Sequence, residues 1–185
     1  PLANNLRATA YEIREDNKSA MKYLKKVING GLKINDEWYW LVPNALNRIS
    51  SIHIMDKNYS DAYDNALEAL SLSEKKNIQN GIVLSLLNLV YIGWFSGDMD
   101  MYENALEQLI NSYEDMELAT KKYRREIFDY YILFYEWLAM IKIGNNQADK
   151  AIVLLESAKN RSIKTALGYS ARESMGSKAI IAKNE

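Results

Sequence analysis

Tyr63-Asp64-Asn65-Ala66-Leu67-Glu68-Ala69-Leu70 returns as Tyr102-Glu103-Asn104-Ala105-Leu106-Glu107-Gln108-Leu109, 39 residues further on. Self-similarity at a fixed step between about 20 and 50 residues marks a repeat array, whose units cannot bury their apolar faces alone. Shorter copies flank this pair, Lys18-Ser19-Ala20-Met21 upstream and Asp149-Lys150-Ala151-Ile152 downstream. Their central alanines, Ala20, Ala66, Ala105 and Ala151, step by 46, 39 and 46 residues. Alanine suits such a seam, because a small side chain lets two helices approach closely and helix propensity is highest there. An array of this kind works by presenting a surface.

Around the repeats, composition narrows the class. The chain has 185 residues, a net charge of −1 and no cysteine. A chain of that length predicts one domain with a substantial core. The charge gives no global field toward nucleic acid or membrane, so neither is an expected partner. The locally basic end, Lys159, Arg161, Lys164, Arg172, Lys178 and Lys183 against Glu173 and Glu185, reads as a solvated helix face. Without cysteine there is no disulfide framework and no thiolate ligand or nucleophile, which agrees with a reducing cytoplasm. Asn4, Asn5 and Arg7 stand where a signal peptide needs apolar residues. The longest apolar run, Ile82 to Phe95, is 14 residues with Ser85 and Asn88 inside it. A bilayer requires about 20, so the run reads as a buried helix. The chain starts at Pro1 and ends near Ile180-Ile181, and it is read as a piece of a longer protein.

No sustained polar–apolar alternation occurs, and the fold class is all-α. Gly30-Gly31, Gly97 and Gly144 each follow an apolar helical pattern and are expected to close helices in the left-handed conformation. The punctuation predicts helices over about 2–14 and 17–29, then one capped by Asn35 or Asp36 that reaches Met55. Pro43 either kinks that helix or marks its first turn. Ser60 opens a fourth helix, Asn77 or Asn80 a fifth, and Asp98 or Asp100 a sixth ending near Met116. Residues 119–143 form the longest helix, 148–159 an eighth, and a ninth begins near Ser162.

The segment Asn88-Leu89-Val90-Tyr91-Ile92-Gly93-Trp94-Phe95-Ser96-Gly97-Asp98, followed by Tyr102 to Leu109, resembles the tetratricopeptide repeat. Asn58-Tyr59 stands where the Gly-Asp-Tyr turn of that family often does, and steps of 39 and 46 suit its long-repeat variants. Similar long units occur in bacterial peptide-responsive transcription regulators, maltose-regulator-like activators and kinase-linked sensors. The resemblance implies a right-handed helical-repeat solenoid of about four antiparallel helix pairs plus a terminal helix. Its units would cover about 1–30, 36–74, 77–117 and 119–160, with the terminal helix over 162–182, in one domain spanning 1–185. It also implies an extended peptide held on the concave side by first-helix residues. Carried onto this sequence, those are Asn44, Arg48 and Ser51, then Asn88 and Tyr91, then Tyr131 and Tyr135.

Asn88 is the sharpest of these, since an asparagine amid Leu86, Leu87, Leu89 and Val90 needs a reason. It could clasp a ligand backbone through its donor and acceptor, or bridge two helices. The lone histidine, His53, lies between Ile52 and Ile54, and one histidine without cysteine excludes a multi-histidine metal site. No GxGxxG or GxxxxGK[ST] loop is present. Pairs such as Glu114 with Asp115, or Asp98 with Asp100, read as helix-end charge. No catalytic residue, metal or cofactor is therefore expected. Residues 123–137 hold seven of the twenty aromatics, Tyr123, Phe128, Tyr130, Tyr131, Phe134, Tyr135 and Trp137, too many for one helix face. Lys121, Lys122, Arg124 and Arg125 oppose the dipole at the start of that helix. They either pair with Glu114, Asp115 or Glu117, or meet an acidic ligand.

The sequence thus predicts a non-catalytic, cytoplasmic protein- or peptide-binding module, the sensor or assembly region of a bacterial regulatory protein. A self-association platform ending at Ile180 and Ile181 is one alternative. Another is the regulatory arm of an enzyme such as a caspase-like protease, whose preceding segment Glu156-Ser157-Ala158-Lys159-Asn160-Arg161 resembles.

Overall fold

The computed structural model describes residues 1–31, 39–119 and 124–160, with side chains outside 115–131. Within them the protein is all-helical: α1 (Leu2–Ile13), α2 (Asn17–Gly31), α3 (Leu41–Met55), α4 (Tyr59–Lys75), α5 (Gln79–Ser96), α6 (Met99–Ala119) and α7 (Arg124–Gly144). An eighth, α8, runs over 148–160. No strand occurs among the described residues, and none of their helices is long and apolar enough to cross a membrane. The expected cap at Asn35 or Asp36 and the expected terminal helix lie outside the described residues. Pro43 is the third residue of α3, in the first turn, where its missing N–H leaves no intrahelical bond unmade.

One turn recurs between helices. Glu15, Lys57, Asn77 and Asn146 have φ of 59°, 59°, 52° and 56°, and Gly97 has 79°. After α1 the Asp16 N–H reaches back to the Tyr11 carbonyl at 2.9 Å and Glu15 N–H to Glu12 at 2.9 Å. After α3, Asn58 bonds His53 at 2.8 Å and Lys57 bonds Ile54 at 3.0 Å. The same pair of bonds follows α4 (Ile78 to Ser73, Asn77 to Glu74) and α7 (Gln147 to Lys142, Asn146 to Ile143). This is the Schellman arrangement, which satisfies carbonyls at a helix end. The glycine expectation holds for Gly97 alone. Gly144 is the last residue of α7, and Asn146 takes the left-handed position. Gly31 ends α2, where a Cβ would come within 2.4 Å of Val42 Cγ2, so its smallness serves α2–α3 contact.

The short turns fold successive helices back on each other. From α1 to α6 each helix packs on the next in the chain, and α3 additionally packs on both α1 and α5. Ala8, Ala20, Leu24, Val27, Leu41, Ala45, Ile49 and Ile52 form one buried cluster from α1, α2 and α3. Val42, Leu46 and Ala69 form the next, against which Ile28 of α2 and Leu72 of α4 pack. The contacts divide the chain into two compact units, Pro1–Thr120 and Lys121–Glu185. In the second unit Phe134, Tyr135, Leu138, Ala139, Ala151 and Ala158 are buried.

The small-residue seam has a different register from the sequence repeat. The fourth residue of each second helix is Ala20, Ala62, Tyr102 or Ala151, all buried. Their N–H groups bond to the carbonyls of Asp16, Asn58, Asp98 and Gln147. Tyr59 and Met99, which start α4 and α6, lie 40 residues apart (99 − 59), so the 39-residue copy is one residue out of step. Ala66 and Ala105 are buried too, at other positions of the helix face. Opposite the fourth residue, the Ser50 hydroxyl donates to the Ala62 carbonyl at 2.7 Å. In the next pair the bulkier Tyr102 faces Gly93, where a Cβ would sit 2.6 Å from the Tyr102 nitrogen.

Two stability predictions follow from this geometry. Gly93→Ala forces α5 and α6 apart and should cost on the order of 1–3 kcal/mol in urea unfolding. Lys57→Gly relieves a left-handed lysine and should raise stability by roughly 0.5–1 kcal/mol, whereas Asn77→Gly, which replaces a residue tolerant of that conformation, should gain less.

A candidate binding groove between α3 and α5

Helices α3 and α5 each turn one stripe toward a shared furrow. Asn44, Asn47, Arg48, Ser51, Ile54 and Met55 line it from α3, and Leu84, Leu87, Asn88, Tyr91 and Phe95 from α5. The spacings of three, four and seven along both helices put each set on one face. The cavity has a volume of about 330 Å³, at the small end of ligand pockets.

The floor is polar and internally satisfied. Asn88 Nδ2 donates to the Asn47 main-chain carbonyl at 2.9 Å and to Asn47 Oδ1 at 3.3 Å. Asn47 Nδ2 in turn donates to the Gly81 carbonyl at 3.3 Å. The Ser51 hydroxyl lies 3.0 Å from both Asn88 Oδ1 and the Asn47 carbonyl, with one proton for the two. Asn88 is only 6 % exposed. Of the two roles open to it in the sequence, its amide is occupied by the helix bridge. A buried carboxamide without those partners would be costly, so α3 and α5 are held in one relative position.

Arg48 is also engaged. Its Nε donates to both carboxylate oxygens of Glu12 at 3.0 and 3.2 Å, Nη2 to the Thr9 hydroxyl at 3.0 Å, and Nη1 to Asn5 Oδ1. The guanidinium thereby ties α1 to α3 and is neutralised by a carboxylate. Among the described residues Arg48 is the one charged residue in the lining, and its charge is matched by Glu12. The groove walls are apolar: Met55, Leu84, Tyr91 and Phe95 are exposed, Phe95 by 55 %, and the Tyr91 and Phe95 rings stack 6.3 Å apart. Such a site can bind and orient an uncharged, apolar group. Among the described residues its lining includes no carboxylate or imidazole.

Five residues expected on a groove therefore lie on one: Asn44, Arg48, Ser51, Asn88 and Tyr91. Tyr135 is 2 % exposed and buried in the second unit, so it offers no open surface. The side chains of Tyr131, Arg124 and Arg125, and all of Lys121 and Lys122, lie outside what is described. Sequence reasoning passed over Asn47, Ile54, Met55, Leu84, Leu87 and Phe95. All six fall three, four or seven residues from a residue already chosen, and extending the helical stripe would have found them. Among the described residues no cluster of His, Cys, Asp and Glu could hold a metal ion. Neither a protein-family model nor a curated protein matches this sequence.

The polar floor and the apolar walls should respond differently to truncation. Asn88→Ala leaves Asn47 Oδ1 without its donor and removes the bridge between α3 and α5, and it should lower stability by about 1–3 kcal/mol in chemical denaturation. Tyr91→Ala and Phe95→Ala, at exposed positions, should each change it by less than about 1 kcal/mol.

Proposed function

We propose that this chain is a non-catalytic binding module of tetratricopeptide type, which holds an extended, uncharged segment of a protein or peptide between α3 and α5. The observation that carries this reading is the convergence of five residues, from stretches some 40 positions apart, on one neutral, apolar-walled groove. The linear order of packing supports the solenoid reading, since repeat arrays stack each unit on its neighbours in the chain. Asn44 supplies the open polar contact. Its amide has no hydrogen-bond partner among the described residues, and both its donor and its acceptor can meet a ligand main chain. Apolar ligand side chains would then seat on Leu84, Leu87, Tyr91 and Phe95. The module serves as a sensor or assembly region of a larger bacterial regulator in the cytoplasm, as the long-repeat resemblance implies.

Blocked pentapeptides with a central Leu, Phe, Asp or Lys, titrated into labelled protein and followed by NMR, test this reading. The Leu and Phe peptides should shift the Asn44 side-chain amide and the Tyr91 and Phe95 rings. The Asp and Lys peptides should not. Tyr91→Ala with Phe95→Ala should weaken binding by about tenfold or more, roughly 1.4 kcal/mol. Shifts elsewhere on the protein, or none with any peptide, would refute the groove as the binding site.

A further inference from the structure

On the outward side of the first unit, charge is sorted by helix. Helix α2 carries Lys18, Lys22, Lys25 and Lys26 and no acid, while α4 carries Asp61, Asp64, Glu68 and Glu74 against Lys75. At 100° per residue, the buried residues Ala20, Leu24, Val27 and Gly31 define the inner face of α2, and Lys18, Lys22 and Lys25 fall diametrically opposite. In α4 the inner face is Ala62, Ala66, Ala69 and Leu70, and Asp61, Asp64 and Glu68 lie on the outer one. All six charged residues are exposed, and no ion pair engages them among the described residues. Lys26 is turned aside, its ammonium 5.1 Å from the Tyr23 ring.

The two stripes lie on helices that both pack on α3. Ile28 of α2 and Leu72 of α4 pack against one cluster, Val42 and Leu46 of α3 with Ala69 of α4, and each lies within about a turn of its helix's C-terminal end. Helices α2 and α4 therefore both run antiparallel to α3 and in the same direction as each other. Over both stripes the charges span seven residues, about 10 Å at 1.5 Å per residue.

We propose that this outward face is self-complementary and that its occupant is a second copy of this chain. A two-fold axis parallel to the two helices sets the lysine row of α2 against the acidic row of the partner's α4. It also sets α4 against the partner's α2, so one operator satisfies both rows, as an isologous contact requires. Opposed charge rows give specificity and fast encounter in place of great affinity, so the association is weak and dependent on ionic strength. This inference is independent of the groove, which faces away from these stripes on α3 and α5.

Sedimentation velocity of the full chain across a concentration series tests it. At about 0.01 M salt, with a Debye length of about 30 Å, the mass should rise with concentration toward that of a dimer. At about 1 M, with a Debye length of about 3 Å, it should stay monomeric. The triple variant Lys18→Glu, Lys22→Glu, Lys25→Glu should be monomeric at both, and so should Asp61→Lys, Asp64→Lys, Glu68→Lys. An equimolar mixture of the two should associate again, because each then carries the complement of the other. Circular dichroism identical to that of the parent chain verifies that both variants fold. A monomer under all conditions overturns the proposal, as does a dimer indifferent to salt and to both variants. Two variants that stay apart when mixed overturn the pairing of α2 with α4.

Discussion

Helix α5 is held by α3, α4 and α6, and even its open face carries apolar side chains such as Leu84, Tyr91, Trp94 and Phe95. That packing is the constraint on which the rest of the first unit depends. Val83, Leu86, Leu89, Val90 and Ile92 are buried on its different sides, and Gly81 and Gly93 allow approaches that no larger residue would permit. A helix in this position can carry a polar side chain only if its neighbours complete the hydrogen bonds. Ser85 turns back to its own helix, donating to the Gly81 carbonyl at 2.8 Å. Asn88 reaches across to Asn47 and Ser51. The groove exists because this bridge fixes α3 beside α5 while their exposed side chains, Met55, Leu84, Tyr91 and Phe95, leave a furrow above it.

The turns impose a second constraint. Four of the five left-handed residues are not glycine, and each adopts a conformation that costs an L-residue about 1 kcal/mol or more. Asparagine at 77 and 146 lessens that cost, but Glu15 and Lys57 have no such advantage. The conformation persists because the two back-bonds of each turn satisfy helix-end carbonyls, and before α2 and α6 an aspartate also caps the following helix. Asp16 illustrates the join. It ends the first turn, and its carboxylate accepts the Ser19 N–H at 3.0 Å. Hydrogen bonding to Ser19 and the charge of Lys18 keep its pKa below the usual carboxylate value. Asp98 does the same for Met101 at 2.9 Å.

This explains which parts of the architecture were legible in the sequence. Helix existence followed from periodicity and from aspartates at helix starts, and the edges of α1, α2 and α8 lie within about two residues of expectation. Glycine was a weaker guide, since the turn is enforced by hydrogen bonds and accepts Glu, Lys and Asn. The repeat exposed the seam but misled about its phase. Tyr102 stands where Ala20 and Ala62 stand because Gly93 yields the space across the crossing, and compensation between two distant positions leaves no trace in either stretch alone. Asn88 was conspicuous for its apolar surroundings, yet nothing local could reveal that Asn47, 41 residues earlier, would occupy its amide.

The outer faces obey a different logic from the groove. If solubility alone governed them, opposite charges at i and i+4 would serve each helix best, adding about 0.2–0.5 kcal/mol per pair. Helix α2 instead places Lys18 with Lys22, and Lys22 with Lys26, at that spacing, and α4 does so with Asp64 and Glu68. Like charges at that spacing weaken a helix by a similar amount. Segregation by helix therefore runs against local stability in both elements. In the proposed two-fold contact each row meets the opposite sign, which offsets that local cost. The groove has the reverse design: its single cation is already matched by Glu12, and what it leaves open is apolar area and one carboxamide. Salt weakens contacts between charge rows and spares apolar ones, so the two proposed contacts differ in their response to ionic strength.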